Sequence, residues 1–300
     1  MELLFRPLPD MTESLAQEYV RLFAACFPKA VHFTAEYLLW LYRDNPAGAA
    51  VGFDAWDGDR LVAHYACVPA AIRLHGRSSS ALLSLNTATH PDYQGRGLFT
   101  KLASQTYALG ESKGYSCVFG IANANSTPGF LKKLDFKLVG ALTAKLGIGS
   151  LQTGWAQSTT GVTFTRHWDF ASLQWRRNNP SNPVSLVRLM KGAIACRSRG
   201  SMIGFSAYAE IACAFDDRMI DQALISDPIR NATASRITLS PLRVYLGSFP
   251  NGVFPASTYV NIPAFLRPSP LNFIFRPLVK DVSPPTMDGI LLSFMDFDAF

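Results

Sequence analysis

"HPDYQGRGLFTKLA", residues 90–103, sets two glycines and an arginine between a strand pattern closed by Pro91 and a helical pattern. Upstream, "ALLSLNTATH" reads as a strand. Downstream, Leu98, Phe99, Leu102, Ala103, Thr106 and Leu109 share one helical face, and Gly114 ends it. The first N–H groups of a helix have no partner within it, and its dipole is positive at that end. Gly95 and Gly97 let the backbone approach a ligand closely and adopt positive φ, and Arg96 adds a full charge. The loop is therefore expected to hold an anion of phosphate type. It is not a Walker loop, because no Gly-Lys-Ser/Thr follows. It also lacks the third glycine of a dinucleotide fingerprint.

Around this stretch, strand and helix signals alternate. "ELLFRPL" predicts a strand, and Leu15, Tyr19, Leu22, Phe23, Cys26 and Phe27 predict a helix capped by Thr12 or Asp10. A second helix follows Thr34 and must stop before Pro46. "VGFDAWDGDRLVAHYACV" predicts two strands about a turn at Asp57–Arg60. "SCVFGIA" predicts a buried strand, Thr127 and Pro128 start a short helix, and "FKLVGAL" predicts a further strand.

This order, with Gln94, Gly97 and Phe99 in a Q/R-x-x-G-x-G/A arrangement and "NANSTPGFLKKLDF" after the next strand, resembles the GCN5-related N-acetyltransferase (GNAT) superfamily. The resemblance covers about residues 1–145 and is similar to a branch of larger, tandem-like members. It implies an α/β fold: a mixed, mostly antiparallel sheet flanked by helices, with a second half that is itself a degenerate GNAT-like repeat or an unrelated extension. It further implies acetyl-CoA, or another short acyl-CoA, as co-substrate and no metal. The implied cofactor contacts are Thr87, Ala88 and Thr89 on the fourth strand, then Gln94, Gly95, Arg96, Gly97, Leu98 and Phe99 in the loop. Asn123, Asn125 and Ser126 stand at the end of the fifth strand, where pantetheine contact and capping of the next helix are equal alternatives. Two departures stand out. Phe99 occupies a position usually held by Gly or Ala, and Leu131 falls where many relatives carry a tyrosine that protonates the leaving thiolate.

Acyl transfer to an amine needs a neutral nucleophile, placement against the thioester and a donor for the oxyanion. Asn86 takes the place of a strand-four carboxylate and cannot act as a base, though it can orient water or the acceptor. His64 is the other catalytic candidate, since imidazole titrates near neutrality; the alternative is a strand histidine satisfied by a carbonyl. Trp40 and Arg43 lie on the helix expected to wall the acceptor pocket, with core packing the alternative for Trp40.

The chain has 300 residues, 48% of them hydrophobic, and a net charge of +6. That length suits two domains, and "GIGSLQTGWAQSTTG" suggests a linker that divides residues 1–150 from 151–300. The second half is expected to contribute to the acceptor site. Residues 170–209 hold Arg176, Arg177, Arg188, Lys191, Arg197 and Arg199 and no acid. This is either a solvated face or a surface for an anionic acceptor, with Arg176 and Arg177 gripping the phosphates of a nucleotide-linked or otherwise phosphorylated sugar. "LLWLYRDNP" at 38–46 returns in shortened form as "LQWRRNNP" at 173–180, by chance or by duplication.

No nucleic-acid motif accompanies the charge, no apolar run approaches a spanning length of ~18–20 residues, and the opening "MELLFRPLPD" lacks a signal-peptide pattern. Five scattered cysteines suggest no disulfide framework, so a cytoplasmic protein, with homodimerisation open, is expected. The reading is an N-acetyltransferase acting on a small-molecule amine such as an amino sugar. The alternatives are a non-catalytic CoA-binding module and an aminoacyl-tRNA-dependent tandem transferase.

Overall fold

A computed structural model describes residues 2–151, 161–189, 193–199, 204–212, 241–267 and 269–297. In chain order the first part runs β1 (Leu4–Pro7), α1 (Glu13–Cys26), α2 (Ala35–Tyr42), β2 (Val51–Asp57), β3 (Arg60–Leu74), β4 (Arg77–Thr89), α3 (Leu98–Ser112), β5 (Cys117–Ala122), α4 (Thr127–Lys133) and β6 (Lys137–Ala141). It continues with β7 (Thr143–Gly147), β8 (Phe164–Arg166), α5 (Phe170–Arg177), β9 (Val184–Arg188), β10 (Ala193–Arg199), β11 (Phe205–Ala212) and β12 (Leu242–Ser248). The chain then closes with β13 (Tyr259–Asn261), β14 (Asn272–Pro277) and β15 (Ile290–Ser293).

The expected helix starts are seen. Thr12 and Thr34 accept hydrogen bonds from Leu15 N (3.2 Å) and Tyr37 N (3.1 Å), satisfying orphan donors of α1 and α2. α4 starts differently from expectation: Ser126 is its cap residue, without a side-chain cap bond, and Thr127 Oγ1 donates to the Asn123 carbonyl instead.

The chain forms two compact units. The first comprises Met1–Ala71, Ser79–Leu138 and Phe273–Pro284. Here β1 pairs antiparallel with β2 and β2 with β3, while β4 runs parallel to β5, which is flanked on its other side by β14. Tyr65, Leu82, Leu102, Tyr107, Val118, Phe130, Phe136 and Ile274 meet in one core. The return of residues 273–284 corrects a single division near 150. Phe273, Ile274 and Phe275 are buried, and Phe273 meets Phe119 with ring centroids 6.4 Å apart. Prolines on either side give this strand the look of an irregular tail, but its apolar run needs a core, and the core it joins lies in the first unit.

The second unit comprises Ile72–Ser78, Val139–Asn272 and Pro285–Phe300. β9, β10 and β11 form an antiparallel meander, and β11 runs parallel to β12. Trp168, Leu173, Ile194, Ala209 and Phe294 build its main core.

The repeated wording has a structural counterpart. α2 and α5 are both followed by a buried Asn before proline. Asn45 Oδ1 accepts from Ala47 N at 3.0 Å, and Asn179 Oδ1 from Ser181 N at 2.9 Å. Three successive strands then follow, the third parallel to the next: β2–β3–β4 beside β5, and β9–β10–β11 beside β12. The sequence also predicts a helix around 217–225, which lies outside the described residues. Among the described residues no helix is long and apolar enough to cross a membrane.

Candidate active site

The Gly-Arg-Gly loop takes the predicted form. Gly95 and Gly97 have φ of 76° and 71°, and Gly97 is the cap of α3 without any side-chain cap bond. The leading amides of α3 therefore meet no competing acceptor from the cap residue. A Cβ on either glycine would find open space, so backbone φ, not crowding, requires glycine here. Beside this turn lies a cleft of about 410 Å³. Thr87, Thr89, Gln94, Gly95, Gly97, Leu98 and Phe99 all line it. The ladder of β4 with β5 covers Leu82 and Leu83, so Thr87 and Thr89 lie beyond the paired stretch.

Other expected contacts do not line the cleft. Ala88 is buried. Arg96 donates to the Asp92 carbonyl (3.1 Å) and lies 4.7 Å over the Tyr93 ring, which braces the loop from outside. Asn123 Oδ1 accepts from the amides of Asn125 and Ser126, a local turn ahead of α4. The Phe99 ring packs edge-on against Phe130 (5.3 Å) and Tyr65 (6.0 Å), so the side chain is half-buried against the core.

His64 and Asn86, far apart in sequence, belong to one polar chain. Tyr19 Oη donates to Asp54 Oδ2 at 2.7 Å, and His64 Nδ1 meets Asp54 Oδ1 at 2.7 Å. His64 Nε2 meets the Tyr42 hydroxyl at 2.9 Å, and Asn86 Nδ2 donates to that hydroxyl at 3.0 Å. Asp54 and His64 are 0% exposed. Burial therefore corrects His64 as a direct base, because a solvent-delivered amine cannot touch it. Asn86 is only half-buried and adopts φ of 42°, near the end of β4. Asn tolerates this region better than most side chains, and such strain gathers at functional sites.

Residues 8–139 match the family model described as "Acetyltransferase (GNAT) domain". They form a GNAT domain. Structural comparison gives the same fold. The chain resembles a protein from Enterococcus faecalis V583 titled "Probable N-Acyltransferase", with TM-score 0.58 and 11% identity over 93% of this chain and 73% of the other. A GCN5-related N-acetyltransferase from Anabaena variabilis matches at TM-score 0.58 and 11% identity, over 92% and 73%. A tandem GNAT protein from the clavulanic acid biosynthesis pathway matches at TM-score 0.52 and 8% identity, covering 94% of this chain and 100% of that one. No curated protein matches the chain.

In this GNAT domain Leu131 is half-buried against the core, so no phenol stands at its position. Trp40 is buried, with its ring 5.6 Å from Tyr37, as core packing requires. Arg43 is exposed and pairs with its neighbour Asp44 through Nε–Oδ1 (2.7 Å) and Nη2–Oδ2 (3.2 Å). In the second unit Arg176 and Arg177 are only 3% and 5% exposed, which corrects the reading of both as an anion-greeting surface. Burial pulls the Arg176 guanidinium down to about 10, with Cys196 and Asp296 opposing the shift. α5 turns this pair inward, and a run of like charges in sequence cannot show which side chains a helix buries.

Sequence reasoning missed Lys133, Cys26, Phe27 and Thr100, which also line the cleft. Lys133 sits in the last turn of α4, where cations commonly favour the helix dipole, so nothing in its spacing marks it. Replacing it by Ala is expected to weaken CoA binding about 3–10-fold at low salt and less at 0.5 M NaCl, since an exposed charge is screened. Isothermal titration at the two salt concentrations checks this; an equal loss at both would remove Lys133 from the anion site.

Proposed function

We propose that the chain is an acyl-CoA-dependent N-acyltransferase, moving acetyl or another short acyl group to a primary amine of a small molecule. One observation carries it: an uncapped helix start, built on two positive-φ glycines, opens onto a cleft lined by β4 residues beyond its ladder with β5. The open space at both glycines fits a pyrophosphate lying close to the backbone. When bound, the coenzyme supplies an activated thioester. The α3 amides and Lys133 hold its diphosphate, and a β4 amide within Thr87–Thr89 donates to the carbonyl oxygen as charge develops there.

The amine nitrogen forms a bond to the carbonyl carbon, the carbon–sulfur bond breaks, and sulfur leaves with the electron pair. The extra proton on nitrogen passes to water. With Leu131 in place of a phenol, the thiolate leaves unassisted, which a thiol pKa of about 8.5 allows. Coenzyme binding is assigned to the first half. Residues 213–240, between β11 and β12, contain no glycine, so the Gly-Arg-Gly wording of 95–97 does not recur there. The acceptor is a small-molecule amine, with amino sugars the first class to test. Its phosphorylated form loses support, because Arg43 is paired with Asp44 and Arg176 and Arg177 are buried.

Saturating acetyl-CoA at about 100 times Kd is expected to add ~2.7 kcal/mol, a rise in Tm of about 5 °C. Thiol release is then followed across amino sugars, polyamines and peptide N-termini. A thermal shift without release from any amine favours a non-catalytic CoA-binding module. An unchanged Tm sinks both readings and leaves the aminoacyl-tRNA alternative.

A further inference from the structure

The chain of hydrogen bonds from Asp54 to Asn86 has one direction of donation. Asp54 is an acceptor only, and it already receives the Tyr19 hydroxyl on Oδ2. His64 Nδ1 faces Oδ1 and so carries the hydrogen that reaches it, while Nε2 faces the Tyr42 hydroxyl. The Tyr42 hydroxyl, 2.9 Å away, gives its hydrogen to Nε2. Its oxygen then has lone pairs to offer, and Asn86 Nδ2 donates to one at 3.0 Å. Turning the Asn86 amide over would bring Oδ1 against a phenol oxygen whose hydrogen is already committed. Two acceptors would then face each other at a part-buried contact. The amide orientation is thus set by a carboxylate three links away.

We infer that Asp54, His64 and Tyr42 form a positioning device that holds the Asn86 carbonyl oxygen outward as the acceptor for an N–H of the incoming amine. This rests on the acyltransferase reading. Asn86 Oδ1 receives no hydrogen bond from the described residues and is not sealed from solvent. Asn86 immediately precedes Thr87, which lines the cleft, and follows the last residues of β4 that pair with β5. An N–H held by Oδ1 turns the nitrogen lone pair towards the thioester carbon, where the carbon–nitrogen bond forms as the carbon–sulfur bond breaks. The surplus proton goes to water, so Asn86 gains and loses none. Burial, the largest cause, pushes the Tyr42 phenol well above its usual range; the Asn86 bond opposes and Asp54 reinforces the shift. Tyr42 therefore remains a donor throughout the working pH range. The φ of 42° explains why Asn is tolerated at position 86, but Asp or Gly would serve the backbone as well. Only the amide has two chemically different ends to be told apart.

That difference supplies the test. A carboxylate at position 86 has no two different ends to tell apart, and it sets an oxygen against the committed Tyr42 oxygen, a repulsion that Tyr42→Phe relieves. Tyr42→Phe is expected to lower kcat/KM for the best amine of the panel about 10-fold in the native background, with acetyl-CoA affinity unchanged. In an Asn86→Asp background the same substitution is expected to cost less than about 2-fold. If Asn86→Asp turns over too slowly to measure, Asn86→Ala replaces it and the same contrast is expected. Any folding defect of Tyr42→Phe enters both backgrounds and cancels in the ratio. Equal losses in both backgrounds overturn the inference, whereas a native protein that binds acetyl-CoA yet releases no thiol to any amine brings down the acyltransferase reading on which it rests. Absence of acetyl-CoA binding brings down that reading as well.

Discussion

Substituting Gly97 by Val is expected to weaken CoA binding at least ~100-fold and to abolish the thermal shift with acetyl-CoA. Gly97 caps α3 at φ of 71°, a region that costs a side-chain-bearing residue ~1–2 kcal/mol and a β-branched one more. No neighbour lies within 4 Å of the added Cβ, so the core is undisturbed and the protein stays folded. The strain is relieved locally by moving φ to negative values, which redirects the first amides of α3. Charge-assisted hydrogen bonds are worth ~1.5–3 kcal/mol each, so losing alignment of two accounts for the effect. Titration calorimetry with CoA is the direct measurement. Near-native affinity in a folded Gly97→Val protein would show that the diphosphate binds elsewhere.

The second large effect concerns stability. Asp54→Ala is expected to cost ~3–5 kcal/mol, because it strips two donors, the Tyr19 hydroxyl and His64 Nδ1, of their acceptor in a fully buried site. Tyr19 is driven strongly upward by burial first and by Asp54 second, so its phenol stays protonated and unable to shed its hydrogen. Urea unfolding followed by tryptophan fluorescence measures the loss. A change below about 1 kcal/mol would mean that the site collapses or admits water, and that the network is not a stability element. Asp54→Asn separates the two roles: it keeps one acceptor oxygen and part of the stability while disturbing the direction of donation along the chain.

Much of the first unit was legible because its signals are local. Thr12 and Thr34 cap where their side chains can reach, Gly97 must carry positive φ wherever the chain goes next, and the apolar face of α3 follows from 3.6-residue periodicity. β14 was not legible. Its apolar run at 273–275 states only that it wants burial, and the partner it finds is Phe119, more than 150 residues earlier. Arg176 and Arg177 make the same point with opposite sign: a charged pair in sequence suggests solvent, and α5 buries it.

The candidate site divides in the same way. The anion turn at 95–97 is a property of a few consecutive residues, so the sequence by itself determined it, and with it the order of elements and the kind of ligand the turn suits. His64 and Asn86 could be named one by one, yet their relation could not. Tyr42, Asp54 and Tyr19 sit on α2, β2 and α1, and only packing of those elements against β3 and β4 brings their polar atoms within 3 Å. A hydrogen bond depends on distance and angle, which chain-local rules do not carry across elements. Tertiary structure therefore decided which imidazole nitrogen faces which partner, which way the Asn86 amide points, and where the chain returns to complete the first unit.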